Sequence, residues 1–94
     1  MKRKAPRRKH LVPQVVERKL GRHRAWGFAH EHGVIEIDER AKGLAKLELL
    51  LHEHFHLLDW NMSEAEVTRR ARKVARFLHK NNVRIIEAGD KLLP

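Results

Sequence analysis

Between Trp26 and Ile37 the apolar positions follow the two-residue period of a strand. Trp26 and Phe28 alternate with small residues, His30-Glu31-His32-Gly33 supplies a polar turn, and Val34, Ile35 and Ile37 form a second short run. Successive side chains on a pleated ribbon point to opposite faces, so residues 24–38 predict a β-hairpin. From residue 41 to 59 the period lengthens: Leu44, Leu47, Leu51, Phe55 and Leu58 recur at three- and four-residue steps. Such steps place them on one broad face of a helix, which Leu50 and Leu57 widen. The leucine content predicts that this helix is largely buried, with Gly43 a mild defect near its start. A second helix is expected from Ser63 to about Lys80. Val67, Ala71, Val74, Ala75 and Leu78 make its inward stripe, while Arg69, Arg72, Lys73 and Arg76 face water. Ser63 with Glu66 three residues later forms a capping box at its start, and Asn81-Asn82 ends it. Two stretches are less regular. Val15, Val16 and Leu20 stand at uneven spacing behind Pro13, which favours a short helix or a lead-in segment over residues 11–20. Val83 to Ile86 would add a third short strand beside a hairpin that is marginal alone.

These elements predict an α+β fold in which a short hairpin or small sheet packs on two helices. The chain has 94 residues and no cysteine, so it forms one small domain without disulfides or a thiolate metal site. Neither a repeat nor a Gly/Ser-rich linker divides residues 11–94, which are expected to form that single domain. The net charge of +9 sits largely in MKRKAPRRKH, where Lys2, Arg3, Lys4, Arg7, Arg8 and Lys9 meet no acid. Residues 11–94 keep 15 cations against 12 acids, or +3. Self-repulsion predicts a disordered basic tail over residues 1–10, able to touch nucleic acid nonspecifically. No run approaches the roughly 18 apolar residues of a membrane span, and no apolar signal core follows the basic residues, so a cytoplasmic protein without a membrane partner is expected.

With thiols absent, any metal must be held by histidine and carboxylate, and eight histidines are many for this length. His52-Glu53-His54-Phe55-His56 fits the H-E-x-x-H pattern. Its outer histidines stand one helical turn apart on one face, so both imidazoles can reach one ion. Glu53, on the flank of that face, could take the proton of a metal-bound water as it attacks a carbonyl and pass it to the leaving amine. Catalytic zinc sites usually take three protein ligands, and three acids compete for the third place. Glu66 is occupied by the capping box. Glu64 precedes Val67 by three and Ala71 by seven, at the edge of the inward stripe, and ranks first. Glu66 ranks second, and Asp59, three beyond His56, third. The structural alternatives are a helix-end carboxylate or a partner for an imidazole N–H at Asp59 and a favourable first-turn acid at Glu64. His54 points to the leucine side and is expected to be a packed or boundary residue and not a ligand, His30 and His32 flank the turn in solvent, and Trp26 and Trp60 serve as core or boundary anchors. The aromatic residues form no series of the kind that stacks on single strands.

The run LHEHFHLLDWNMSEAEV resembles the gluzincin branch of the zincin metallopeptidases in a very reduced form, and is similar to small HExxH proteins encoded by bacteria and their phages. The resemblance covers about residues 24 to 80. It implies a zinc-dependent metallopeptidase that hydrolyses a peptide bond, with Zn2+ held by His52, His56 and Glu64 and with Glu53 as general base. It also implies that one strand of residues 26–37 holds a peptide or protein substrate in extended form. Two departures stand out. With no tyrosine in the chain, His23, His30, His79 or an arginine would have to stabilise the oxyanion, and Met62 occupies the place of the third metzincin histidine. Two other classes compete: a basic nucleic-acid-binding module using Lys2 to Lys9 and the Arg69-Arg72-Lys73-Arg76 face with a structural metal, and a zincin shell without activity.

Overall fold

The computed structural model describes residues 12–21 and 25–86. In chain order these form β1 (Gln14–Arg18), β2 (Gly27–His30), β3 (Val34–Asp38), α1 (Gly43–Leu58) and α2 (Glu64–Lys80). The result is a small α+β domain: a mixed three-stranded sheet of order β1-β3-β2, with α1 against β2 and β3 and α2 packed on α1. The basic tail over residues 1–10 lies outside the described residues. No helix among those described is long and apolar enough to cross a membrane.

The hairpin forms as its alternation predicts. β2 and β3 pair antiparallel with Phe28 opposite Glu36 and Ala29 opposite Ile35. Gly33 closes the turn at φ +94°, a left-handed conformation that costs glycine little, and its N–H donates to the His30 carbonyl at 2.9 Å. The third strand comes from the other end of the chain. Residues 14–18 are a strand and not a short helix, running parallel to β3 with Val15 opposite Ile35 and Glu17 opposite Ile37. At an edge position, with four of its five residues exposed, this strand needs no regular apolar period; the ladder to β3 fixes its conformation. Residues 83–86 take no regular structure. Asn82 turns left-handed at φ 68°, and the N–H groups of Asn82 and Val83 donate to the carbonyls of His79 and Leu78 at 3.1 and 2.9 Å. That pairing is a Schellman cap, which ties Val83 to the end of α2 instead of to the sheet.

Ile35, Ile37 and Ala41 form the sealed centre, with Leu49, Leu50 and Leu57 of α1 packed against them. Val67, Ala71 and Ala75 are fully buried on α2, and their small side chains let the two helices approach closely. The expectation of a largely buried α1 needs correction. Its buried residues are Lys46 and Glu53, while Leu58 is 65% exposed. The stripe towards the sheet runs through Lys46, Leu49, Leu50, Glu53 and Leu57, rotated from the leucine-rich face, because α1 is shared between the sheet and α2. Lys46 Nζ meets Glu17 Oε1 at 3.0 Å. Gly43, expected as a defect, opens α1 at φ +57°, where a side chain would be strained.

Asp38 fixes the end of β3. Its carboxylate is fully buried and accepts the Leu20 and Arg40 backbone N–H groups at 2.9 and 2.8 Å and Arg40 Nε at 2.8 Å. These bonds, Arg40's first, hold its carboxyl down to about 2. The same guanidinium stacks 4.4 Å over the Trp26 ring, so Trp26 is a half-exposed boundary anchor.

Candidate metal centre and its cleft

α1 presents His52 and His56 one turn apart, with ring centroids 4.9 Å from each other and planes at 67°. After Leu58 the chain reverses in a tight turn: the Asp59 N–H still donates to the Phe55 carbonyl, and the Met62 N–H donates to the Asp59 carbonyl. Ser63 Oγ then accepts the Glu66 N–H at 3.2 Å and starts α2. This cap sets the first residue of α2, Glu64, opposite the two imidazoles. The Glu64 carboxylate bridges them, Oε1 lying 2.6 Å from His52 Nε2 and Oε2 2.8 Å from His56 Nε2. The imidazoles are 16% and 19% exposed and the carboxylate 72%, so the nitrogens form the wall and the acid reaches in from solvent. One ligand atom from each of the three lies within 4.8 Å of the others, and the group could hold a metal ion.

The other two acids are placed elsewhere. Asp59 is exposed at the end of α1 and accepts the Asn61 N–H at 3.3 Å. Glu66 gives its oxygens to Arg69 and Arg70, the latter at 2.8 Å, which holds its carboxyl down to about 2. Half of the capping box therefore forms, because the Glu66 side chain turns along the helix instead of back to Ser63.

Glu53 is only 6% exposed. Burial pushes its carboxyl up to about 7; positive charge on His52 and His30 opposes that rise and the Glu64 carboxylate adds to it. It lies against β2 at Gly27, where a Cβ would stand 3.0 Å from Glu53 Oε2 and 3.1 Å from the Glu36 carbonyl. Gly27 is thus part of the site, and sequence reasoning passed over it. A glycine inside a strand pattern, between Trp26 and Phe28, was the available signal of a close approach.

A cleft of about 280 Å³ joins these parts, lined by residues 27–29 of β2 with Glu53, His56, Trp60 and Glu64. Trp60 and Phe28 are further lining residues that the spacing arguments did not assign to a site. Among the described residues β2 is an edge strand of the sheet. The Asp38 N–H donates to the Trp26 carbonyl at 2.8 Å, and antiparallel pairs alternate along a ladder. The register therefore turns the backbone groups of Gly27 and Ala29 outward, away from β3.

Of the histidines expected to assist chemistry, His30 lies 2.6 Å from Glu36, which also pairs with Arg18 at 2.8 Å; His30 is not among the residues that line the cleft. His79 is near the last turn of α2, roughly 22 Å along the axis from Glu64 at 1.5 Å per residue. His23 lies outside the described residues. His54 is half-buried, as expected for a packed or boundary residue, and His32 is exposed. No family model, no curated protein and no solved structure matches the chain.

Proposed function

We propose that this protein is a minimal zinc-dependent metallopeptidase of the gluzincin type that hydrolyses a peptide bond. The observation that carries the reading is the convergence of His52, His56 and Glu64 beside a buried carboxylate, Glu53, in one cleft. Two imidazole nitrogens and one carboxylate oxygen are the His2Glu donor set of catalytic zinc, and His52, His56 and Glu64 would hold the cation. When bound, zinc would supply a Lewis acid that polarises a carbonyl and acidifies water.

The chain's own residues supply the rest. Glu53, offset from the ligand face and screened by β2, receives the proton of the attacking water and returns it to the leaving amine. Burial among β2 and α1 raises the proton affinity of its carboxyl, which suits a group that takes a proton and returns it. The outward N–H and C=O groups of Gly27 and Ala29 pair with the backbone of an extended peptide, which adds as a further strand and lays its scissile bond along the cleft. The open side of Glu64 lets substrate approach from solvent.

The test combines metal content with hydrolysis. Tag-free wild type should hold near-stoichiometric zinc after dialysis, and His56→Ala almost none. Glu53→Gln should keep zinc and lose cleavage of a quenched peptide library. A fully active Glu53→Gln, or folded wild type that takes up no zinc, overturns the proposal.

A further inference from the structure

α2 carries a surface that the cleft does not use. Residues 68–86 contain seven lysines and arginines and no acid. Near the start of α2, Glu66 pairs with Arg69 and Arg70, and Glu48 of α1 lies 3.8 Å from Arg72. Beyond these, Lys73, Arg76 and Lys80 are exposed, and among the described residues no acid pairs with them. At 100° per residue they fall within about 60° of one another around the helix. Phe77, 66% exposed, borders the same stripe, three before Lys80 and four after Lys73.

We infer that the Lys73, Arg76, Phe77 and Lys80 face of α2 is a docking surface for single-stranded nucleic acid, the cations meeting successive phosphates and Phe77 stacking on an unpaired base. A cationic row along a straight helix neutralises a phosphate chain and releases its counterions. A phenyl ring standing in water among those cations offers the flat apolar face on which a base stacks whatever its identity. A duplex keeps its bases stacked on each other and has none to offer Phe77. A lipid surface fits less well. Interfacial helices insert an apolar face into the bilayer, whereas Val67, Ala71 and Ala75 of α2 are fully buried in the domain and Phe77 is the one large apolar residue exposed within α2.

The experiment is an anisotropy titration of labelled oligo(dT) with the full chain across a salt series, comparing wild type, Phe77→Ala and the triple variant Lys73→Gln, Arg76→Gln, Lys80→Gln. All four positions are solvent-facing, and circular dichroism with zinc content confirms that each variant keeps its fold and site. The triple variant should bind on the order of tenfold more weakly at low salt, and the slope of log K against log salt should flatten by about 2, at about 0.7 per lost phosphate contact on a single strand. Because the basic residues 1–10 are present in every sample, only a change made on α2 can produce that flattening. Phe77→Ala should weaken binding to oligo(dT) and leave binding to inorganic polyphosphate unchanged. Three outcomes overturn the inference: a triple variant with wild-type affinity and slope, equal binding of a duplex, or binding of phosphatidylglycerol vesicles without binding of oligo(dT).

Discussion

A methyl group at position 27 would stand 3.0 Å from Glu53 Oε2 and 3.1 Å from the Glu36 carbonyl, and backbone cannot move aside as a flexible side chain can. Gly27→Ala is therefore expected to destabilise the fold by about 1–3 kcal/mol through overpacking and to displace Glu53 from β2. Urea unfolding should show the loss of stability, and peptide cleavage should fall while zinc content stays at the wild-type level, because the atoms nearest the added methyl belong to Glu53 and Glu36 and not to His52, His56 or Glu64. Asp38 makes a second prediction at this scale. Its carboxyl sits at about 2, below its ordinary 3.8, so the folded state binds the proton less readily than the unfolded one. The stability this contributes is complete above pH 4 and disappears as pH falls from about 4 to about 2. Asp38→Asn should be less stable than wild type at neutral pH in urea titrations, with the gap narrowing across that acid window. A constant gap from pH 7 to pH 2 would show that the loss comes from packing and not from charge.

The elements differ in how far they could be read in advance, and the reason is the range of the interaction that fixes each. The hairpin and both helices show their periods locally, and Ser63 marks the start of α2 by its own hydroxyl. β1 does not, because an exposed edge strand is selected by its partner β3, twenty residues away in register. The burial of α1 was misplaced by a rotation, since a helix touching a sheet on one side and a helix on the other has no single apolar face. Within the site, the four-residue step of His52 and His56 was legible, and so was Glu64 as the acid that meets them, although it does so from an exposed position and not as an inward carboxylate, while Gly27 owes its role to a contact across the fold. The helix ends allow an element-scale prediction. Asn82 holds φ 68° in the cap that closes α2, so Asn82→Ala should cost about 1 kcal/mol, read by thermal unfolding, and Asn82→Gly should not.

At the scale of the whole molecule the sealed core is small: among the described residues Ile35, Ile37 and Ala41 are backed by partly buried leucines, with Leu20, Val67, Ala71 and Ala75 also buried, and a 94-residue chain has little further surface to bury. The helix pair α1–α2 packs through the small residues Val67, Ala71 and Ala75, and beside the turn that joins the helices Glu64 reaches to His52 and His56. A metal ion at that point would add a further link between two helices that already pack closely on each other, and it would bind the folded chain far better than the unfolded one, where the three ligands are apart. Free zinc at a hundred times its dissociation constant should then add about 2.7 kcal/mol of stability, which for a domain of this size raises the unfolding midpoint by about 10–20 °C. Glu64→Gln keeps the side-chain shape while removing the anionic ligand, so its midpoint should respond far less to added zinc, and a chelator should return wild type to the variant's behaviour. If zinc shifted both proteins equally, the stabilising ion would sit elsewhere, for instance on the other histidines, and the convergence at the start of α2 would be a hydrogen-bonded helix joint instead of a metal centre.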